Sequence, residues 1–370
     1  MVVNVDWFFL SHRLQLAKSM LADGNDVYII AKDTGRKQEI INHGLKFIDA
    51  PFERSGTNPL EELGLITFLY KLYKGNRPDI VHHITIKPAI YGSVALRFFR
   101  SNIKLVNAIS GLGYNFIGNR TSMVQKLVLR LMNIGFKRKG VNFIFQNPDD
   151  RAFYYSLNYL SDTNNVIIKG AGVDHTEYDY VEPIRKNKLQ VVFSGRMLLD
   201  KGVVEFMEAT KLLRNKYINL VEFILMGDFD LNNKASANSE LLQHYLEDGY
   251  LTWVGYQQDV KSVLINSDIV CLPSYREGLP KALIEAMAIG RPIVTTDTPG
   301  CRECVDDNIN GFLVPVKSIR ELAEKFEVLI DDESLRWRMG KASRDKMIKE
   351  LSLENVICET KRFYFKLINE

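Results

Sequence analysis

The chain has 370 residues, room for two to three domains at about 150 residues each. Hydrophobic residues make up 46% and charged residues 25%, ordinary for a soluble globular protein, which excludes a disordered, collagen-like or small disulfide-stapled chain. The net charge of +3 is unremarkable, and four cysteines are too few for a disulfide framework, so a reducing, cytoplasmic setting is expected. No apolar run approaches the ~20 residues that cross a bilayer. The opening MVVNVDWFFLSHRL lacks the basic region and cleavage site of a signal peptide and reads as a start inside a β-strand.

In chain order, short β-branched runs alternate with helical patterns. The first strands are expected at Val2–Val5, Asp26–Ile30, Leu45–Ile48, Asp79–Ile84, Lys104–Ile109, Asn142–Phe145 and Val166–Ile168. Between them lies an uneven stretch: residues 80–148 hold ten Lys/Arg and no Asp/Glu, whereas residues 181–370 hold 26 and 29. A basic patch of this kind suits a polyanion: nucleic acid, an anionic lipid surface or a diphosphate. Within it, residues 121–139 read as a helix, with Val124, Leu127, Val128 and Leu131 on one face and Lys126, Arg130 and Lys137 on another, able to lie on a membrane surface.

The polar, proline-containing segment 170–188 interrupts the pattern and marks a domain junction. Strands resume at Leu189–Ser194, Val221–Met226, Leu251–Val254, Asp268–Leu272, Arg291–Thr296 and Phe312–Pro315, followed by helical patterns over Glu333–Glu350 and Leu353–Leu367. Many runs are apolar throughout, as in strands covered on both faces. The alternation implies parallel sheets with helices on both sides, an α/β architecture of two Rossmann-like domains facing a central cleft. The expected domains are 1–175, 176–350 and a C-terminal helix at 351–370 that packs back on the first.

Ligands of such sheets bind beyond the carboxyl ends of the strands. Three loops there stand out. SGRMLLDKG places Arg196 and Lys201 together, with Gly195 and Gly202 allowing the turn, and two cations on one loop suit a diphosphate. PSYREGLPKALIEAMAIG carries Glu277 before a helix and Glu285 within it; Pro280 suits the helix start, and Gly278 permits a close backbone approach. A surface Lys281–Glu285 pair is the plainer alternative for that helix. TTDTPGCRECVDDNINGF carries Gly300 and Glu303. Its lone CxxC, Cys301 and Cys304, has no second pair or suitable histidines and is expected to be buried thiols rather than a metal or redox site.

In these loops and over nearly its whole length, the chain resembles the family 4 retaining glycosyltransferases of the GT-B fold. The E-x7-E pattern Glu277–Glu285 within SYREGLPKALIEAMAIGRPIV is the most specific part. The resemblance implies that Arg196 and Lys201 neutralise the donor's diphosphate, that Glu277 meets the transferred sugar, and that Glu285 holds the ribose hydroxyls. Gly278 and Leu279 would offer amides, and Glu205 a supporting role.

NVDWFFLSHRL, ITIKPAIYGSVALR, NAISGLGYNFIG and FIFQNPDD resemble a bacterial subgroup that extends saccharides on polyprenyl diphosphate, such as the N-acetylgalactosaminyltransferases of glycan assembly. By that resemblance, Asp6 and Ser11 in the loop Asp6–His12 lie on the donor's side. Lys87, Ser110, Gly111 and Gly113 lie on the acceptor's side. Many relatives carry a histidine near Ser110, so its role does not transfer. His82 and His83 are expected to be structural.

The expected function is transfer of an N-acetylhexosamine or hexose from a UDP-sugar to a polyprenyl-diphosphate-linked saccharide, in O-antigen, capsule or glycoprotein glycan assembly. It needs no metal or other cofactor, and GDFD (Asp228, Asp230) is taken as a loop rather than a metal motif. Expected partners are the two substrates and, through the basic first domain, the inner membrane surface. No nucleic acid is expected, and the protein would be cytoplasmic and peripherally membrane-associated. A GT-B sugar-nucleotide epimerase and a non-catalytic nucleotide-sugar binder are the rivals. A nicotinamide oxidoreductase is discounted, because VDWFFLSH after the first strand lacks the glycine fingerprint.

Overall fold

The computed structural model describes residues 1–52, 59–98, 102–111, 123–184, 186–230, 233 and 235–369, side chains excepted at 59, 60, 123 and 124. The chain forms two compact units, Met1–Ala171 with Val356–Glu370, and Gly172–Asn355. Every expected strand is present, displaced by no more than two residues at either end.

The first unit holds β1 (Val2–Val5), β2 (Tyr28–Lys32), β3 (Lys46–Asp49), β4 (Ile80–Ile84), β5 (Lys104–Ile109), β6 (Val141–Phe145) and β7 (Asn165–Ile167). They form one sheet in the order β3-β2-β1-β4-β5-β6-β7, every pair parallel. Its β6 is buried along its whole length and apolar but for Asn142, whose side chain donates to the Leu105 and Gly140 carbonyls at 3.2 Å each. The C-terminal helix Leu353–Asn369 lays Val356, Phe363, Tyr364 and Leu367 against Val106, Ala108, Ile144 and Ile168 of this sheet.

The second unit holds β8 (Leu189–Ser194), β9 (Val221–Met226), β10 (Leu251–Gly255), β11 (Ile269–Leu272), β12 (Ile293–Thr296) and β13 (Gly311–Val314). Their order is β10-β9-β8-β11-β12-β13, again all parallel. Strands β11 and β12 are buried at every residue. From β8 the chain winds outward to β9 and β10, then returns to start β11 on the other side of β8.

Two expectations change in detail. Asp6–His12 is a short helix rather than a loop. The helix expected over 121–139 spans Met123–Phe136, and its faces differ from the sequence reading. Val128 and Leu131 pack on the core, but Leu127 is 53% exposed and stands outward with Lys126, Arg130 and Lys137.

Both histidines of β4 are buried and serve the interior. His83 Nδ1 lies 2.9 Å from Asn107 Oδ1, and its Nε2 lies 2.8 Å from the Tyr73 hydroxyl. Asn107 in turn donates to Ser93 Oγ at 3.0 Å. His82 Nδ1 meets the Tyr364 hydroxyl of the C-terminal helix. Burial pushes the His83 pKa down to about 3, and burial together with the nearby Arg13 charge pushes that of His82 well down.

Both rings are therefore neutral when folded, while the unfolded chain protonates them at about 6.5. Stability is full above that pH and falls as pH drops from there toward the folded values, by up to about 1.4 kcal/mol per pH unit for each ring. Melting temperatures between pH 7.5 and 4.5 should show this fall. His83→Gln should melt lower at pH 7.5 but lose less on acidification; an unchanged acid slope would contradict the assignment.

Candidate functional site

The reversal of winding between β8 and β11 opens a crevice at the carboxyl ends of these strands, the place where doubly wound sheets take ligands. The two loops that leave it are joined by backbone bonds. The Asp200 carbonyl accepts from Tyr275 N at 2.8 Å and from Ser274 Oγ at 3.1 Å. After a single 3₁₀ turn at Leu199–Lys201, Gly202 adopts φ +76°, and a Cβ there would lie 2.2 Å from the Pro273 carbonyl oxygen. No other residue fits that approach.

The loop after β12 closes the other side. Glu277 N donates to the Pro299 carbonyl at 3.0 Å, and Gly300, at φ +81°, leaves no room for a Cβ beside the carbonyls of Glu277 and Gly278. Thr296 and Thr298 hydroxyls both donate to the Ser274 carbonyl. Three loops are thus held as one platform.

On this platform the expected charges meet in pairs. Lys201 Nζ bonds Glu277 Oε1, with both side chains largely shielded from solvent. Arg196 Nη1 lies 2.6 Å from Asp230 Oδ2, in the loop after β9. Glu285 projects from the helix Lys281–Ile289 but is buried. Its Oε1 lies 3.1 Å from Lys281 Nζ and accepts from the Tyr178 hydroxyl at 3.3 Å. The Lys281–Glu285 pair therefore forms, in a shielded position. Burial and the Glu285 charge push the Tyr178 phenol up, so it remains a donor.

Other expected residues have definite places. Gly278 and Leu279 are buried at the foot of this helix, and Pro280 is its N-cap residue rather than its first helical one. Glu205 is buried and accepts from the Tyr275 hydroxyl at 2.5 Å. In the first unit, the Asp6 carboxylate accepts from the amides of Trp7, Thr34 and Arg36 and from the Thr34 hydroxyl, tying the end of β1 to the loop after β2. Burial raises its pKa, but these bonds outweigh it and hold the group below the usual aspartate range. Ser11 Oγ pairs with His12 Nδ1 at 2.6 Å. Lys87 Nζ lies 2.8 Å from Glu62. Ser110 and Gly111 follow β5 and are half-buried; Gly113 lies outside the described residues.

Sequence reasoning missed two partners, Tyr178 and Asp230. GDFD was the only signal for Asp230, and it was read as an ordinary loop. Nothing local marks Tyr178.

Cys301 and Cys304 are fully buried, as expected, and burial raises the Cys301 pKa to about 11. Such thiols do not react at neutral pH. Among the described residues, no three His, Cys, Asp or Glu side chains gather as a metal site requires. No helix is long and apolar enough to cross a membrane, again among the described residues.

Two family models divide the chain: "Glycosyl transferase 4-like" matches residues 1–147 and "Glycosyl transferases group 1" matches 174–346. A Campylobacter jejuni relative, N,N'-diacetylbacillosaminyl-diphospho-undecaprenol alpha-1,3-N-acetylgalactosaminyltransferase, is 29% identical over 97% of each chain. An Escherichia coli relative, UDP-Gal:alpha-D-GlcNAc-diphosphoundecaprenol alpha-1,3-galactosyltransferase, is 23% identical over 93% of this chain and 89% of its own. Among solved structures, Anabaena HepE in complex with UDP superposes with a TM-score of 0.75 at 16% identity, covering 95% of this chain and 94% of that one.

The burial pattern predicts thiol reactivity. Cys358 is exposed and the other three cysteines are buried. Ellman titration should find one reactive thiol in the native protein and four in guanidinium chloride. Rapid native reaction of two or more thiols would contradict the platform as described.

Proposed function

The chain belongs to the glycosyltransferases of the GT-B fold, and from that premise we propose that it transfers a sugar from a UDP-sugar to a polyprenyl-diphosphate-linked saccharide during assembly of a bacterial surface glycan. One observation carries the reading above the others. Arg196, Lys201, Glu277 and Glu285, two cations and two carboxylates, stand on the elements that follow β8 and β11. The names of the C. jejuni and E. coli relatives support the acceptor class, and the E. coli name supports UDP.

In this reading the bond between the sugar's anomeric carbon and the β-phosphate oxygen breaks, and negative charge grows on the departing diphosphate. Arg196 and Lys201 stabilise that charge more as it develops than in the ground state, which is what accelerates a reaction. No metal is called on, since the two side chains supply the positive charge. Glu277, held by Lys201, meets the transferred sugar. Glu285, aimed by Lys281 and Tyr178, takes the ribose hydroxyls. The acceptor hydroxyl attacks from the face the diphosphate leaves and gives its proton to the leaving phosphate, so configuration is retained. The transferred sugar is an N-acetylhexosamine or a hexose.

The acceptor's lipid brings the reaction to the inner membrane surface, and the helix Met123–Phe136 supports contact there. Lys126, Arg130 and Lys137 stand outward around the exposed Leu127 and Ile134. Cations around a shallow apolar ridge suit an anionic headgroup layer, at about 1 kcal/mol for each basic side chain near the surface.

Mass spectrometry of products from a panel of sugar nucleotides and polyprenyl-linked acceptors tests the reaction. One donor should give a product one sugar heavier, and only when acceptor is present. Glu277→Gln should lower turnover by about 10²-fold or more while donor still binds. Donor isomerised without acceptor would instead identify an epimerase, and donor bound but never transferred would identify a sensor. Separately, glutamate at positions 126, 130 and 137 together should release the protein from anionic vesicles; unchanged sedimentation with vesicles would remove the membrane part.

A further inference from the structure

The GDFD loop has no part in the reaction as derived above, yet it supplies the partner of Arg196. We infer that Asp230 is a positioning residue: its carboxylate occupies the Arg196 guanidinium until the donor's diphosphate displaces it, and takes the guanidinium back when UDP leaves. This rests on the proposed reading of Arg196 as a diphosphate ligand.

Three observations support the exchange. The pair is close, with Arg196 Nη1 and Asp230 Oδ2 at 2.6 Å. It is also lopsided: the Asp230 side chain is 9% exposed and the Arg196 side chain 47%. The protein holds the carboxylate, while the guanidinium reaches it from solvent. Finally, the loop before Asp230 is fixed to the platform. Trp253 Nε1 donates to the Gly227 carbonyl at 2.8 Å, and its ring packs edge-on against Phe229 at 5.1 Å. Met197 N donates to the Asp228 carbonyl at 3.0 Å, which ties this loop to the one that carries Arg196.

A long arginine side chain loses rotamer freedom when it grips a ligand. Asp230 holds the guanidinium in place beforehand, so less of that freedom remains to be lost. It also places a fixed negative charge beside the incoming diphosphate. A solvent-accessible pair of this kind is weak enough for a diphosphate to exchange. The second effect opposes tight binding of UDP and favours its departure after transfer.

Isothermal titration of UDP and of uridine into the full chain tests this. Asp230→Asn should bind UDP about two- to fivefold more tightly, the size expected for freeing a solvent-exposed guanidinium from one ion pair. Uridine, which has no diphosphate, should bind unchanged. Asp230→Glu should restore the wild-type UDP affinity, and the gain should vanish when Arg196→Ala is added. A merely structural role would shift uridine and UDP alike. Unchanged or weaker UDP binding by Asp230→Asn, or a gain that persists without Arg196, overturns the inference. If Arg196→Ala weakens UDP binding while Asp230→Asn changes nothing, the inference falls and the donor reading stands. If Arg196→Ala leaves UDP affinity unchanged, or the wild type binds no UDP, both fall.

Discussion

The bond between Lys201 and Glu277 is the interaction on which the second unit's site depends. It joins the loop after β8 to the loop after β11, and it forms only because their backbones run within hydrogen-bonding distance. Lys201 sits in the 3₁₀ turn that Gly202 ends, and Gly202 lies against Pro273 with no space for a side chain. A shielded ion pair is strong only when both partners arrive already placed, since desolvation opposes it. Here the placing is done by the backbone carbonyls of Asp200 and Ser274, which accept from the Tyr275 amide and from the hydroxyls of Ser274, Thr296 and Thr298. The charged side chains then meet at little further conformational cost.

Much of this was legible in the sequence, for a physical reason. Strands covered on both faces are mostly apolar, so Leu189–Ser194 and Val221–Met226 could be delimited to the residue although each carries a polar residue at its second position, Gln190 and Glu222. Glu277 and Glu285 could be linked because a helix fixes their separation. What remained hidden depends on partners far apart in the chain. Asp230 lies 34 residues from Arg196, and Tyr178 lies 107 from Glu285. The partners of Asp6, Thr34 and Arg36, likewise belong to the loop after β2. The helix Asp6–His12 was taken for a loop because it is short and Val5 before it offers no side-chain cap. The spacing assigns Leu127 inward, but that turn packs on the core through Val128, Leu129 and Leu131.

The basic stretch of the first unit brings like charges together. The Arg138 pKa is lowered, by burial first and then by the charge of Arg97. Two guanidiniums are therefore held close enough to repel, in a region of sequence without an acidic residue from 80 to 148. Self-repulsion of this kind disfavours the compact state. The anionic surface proposed as a partner would lower that repulsion.

Of the four charges Arg196, Lys201, Glu277 and Glu285, Glu285 is the least exposed, and its burial depends on how the segment before β8 is fastened. Arg291 is fully buried and donates to the carbonyls of Leu264, Ile265 and Val181 at 3.2, 2.9 and 2.7 Å. Arg344 donates to the carbonyls of His175 and Tyr178, and to that of Ala288 near the end of the helix that carries Glu285. Two guanidiniums with several donors each thus bind the segment around Tyr178 to that same helix. The phenol that meets Glu285 is on a backbone held at both sides of the contact, so the carboxylate can be buried with its partners already in place. An arginine suits this task because its planar group satisfies several carbonyls at once, which a lysine's compact ammonium does with less directional control. The site's fourth charge is therefore set by two residues that never touch it.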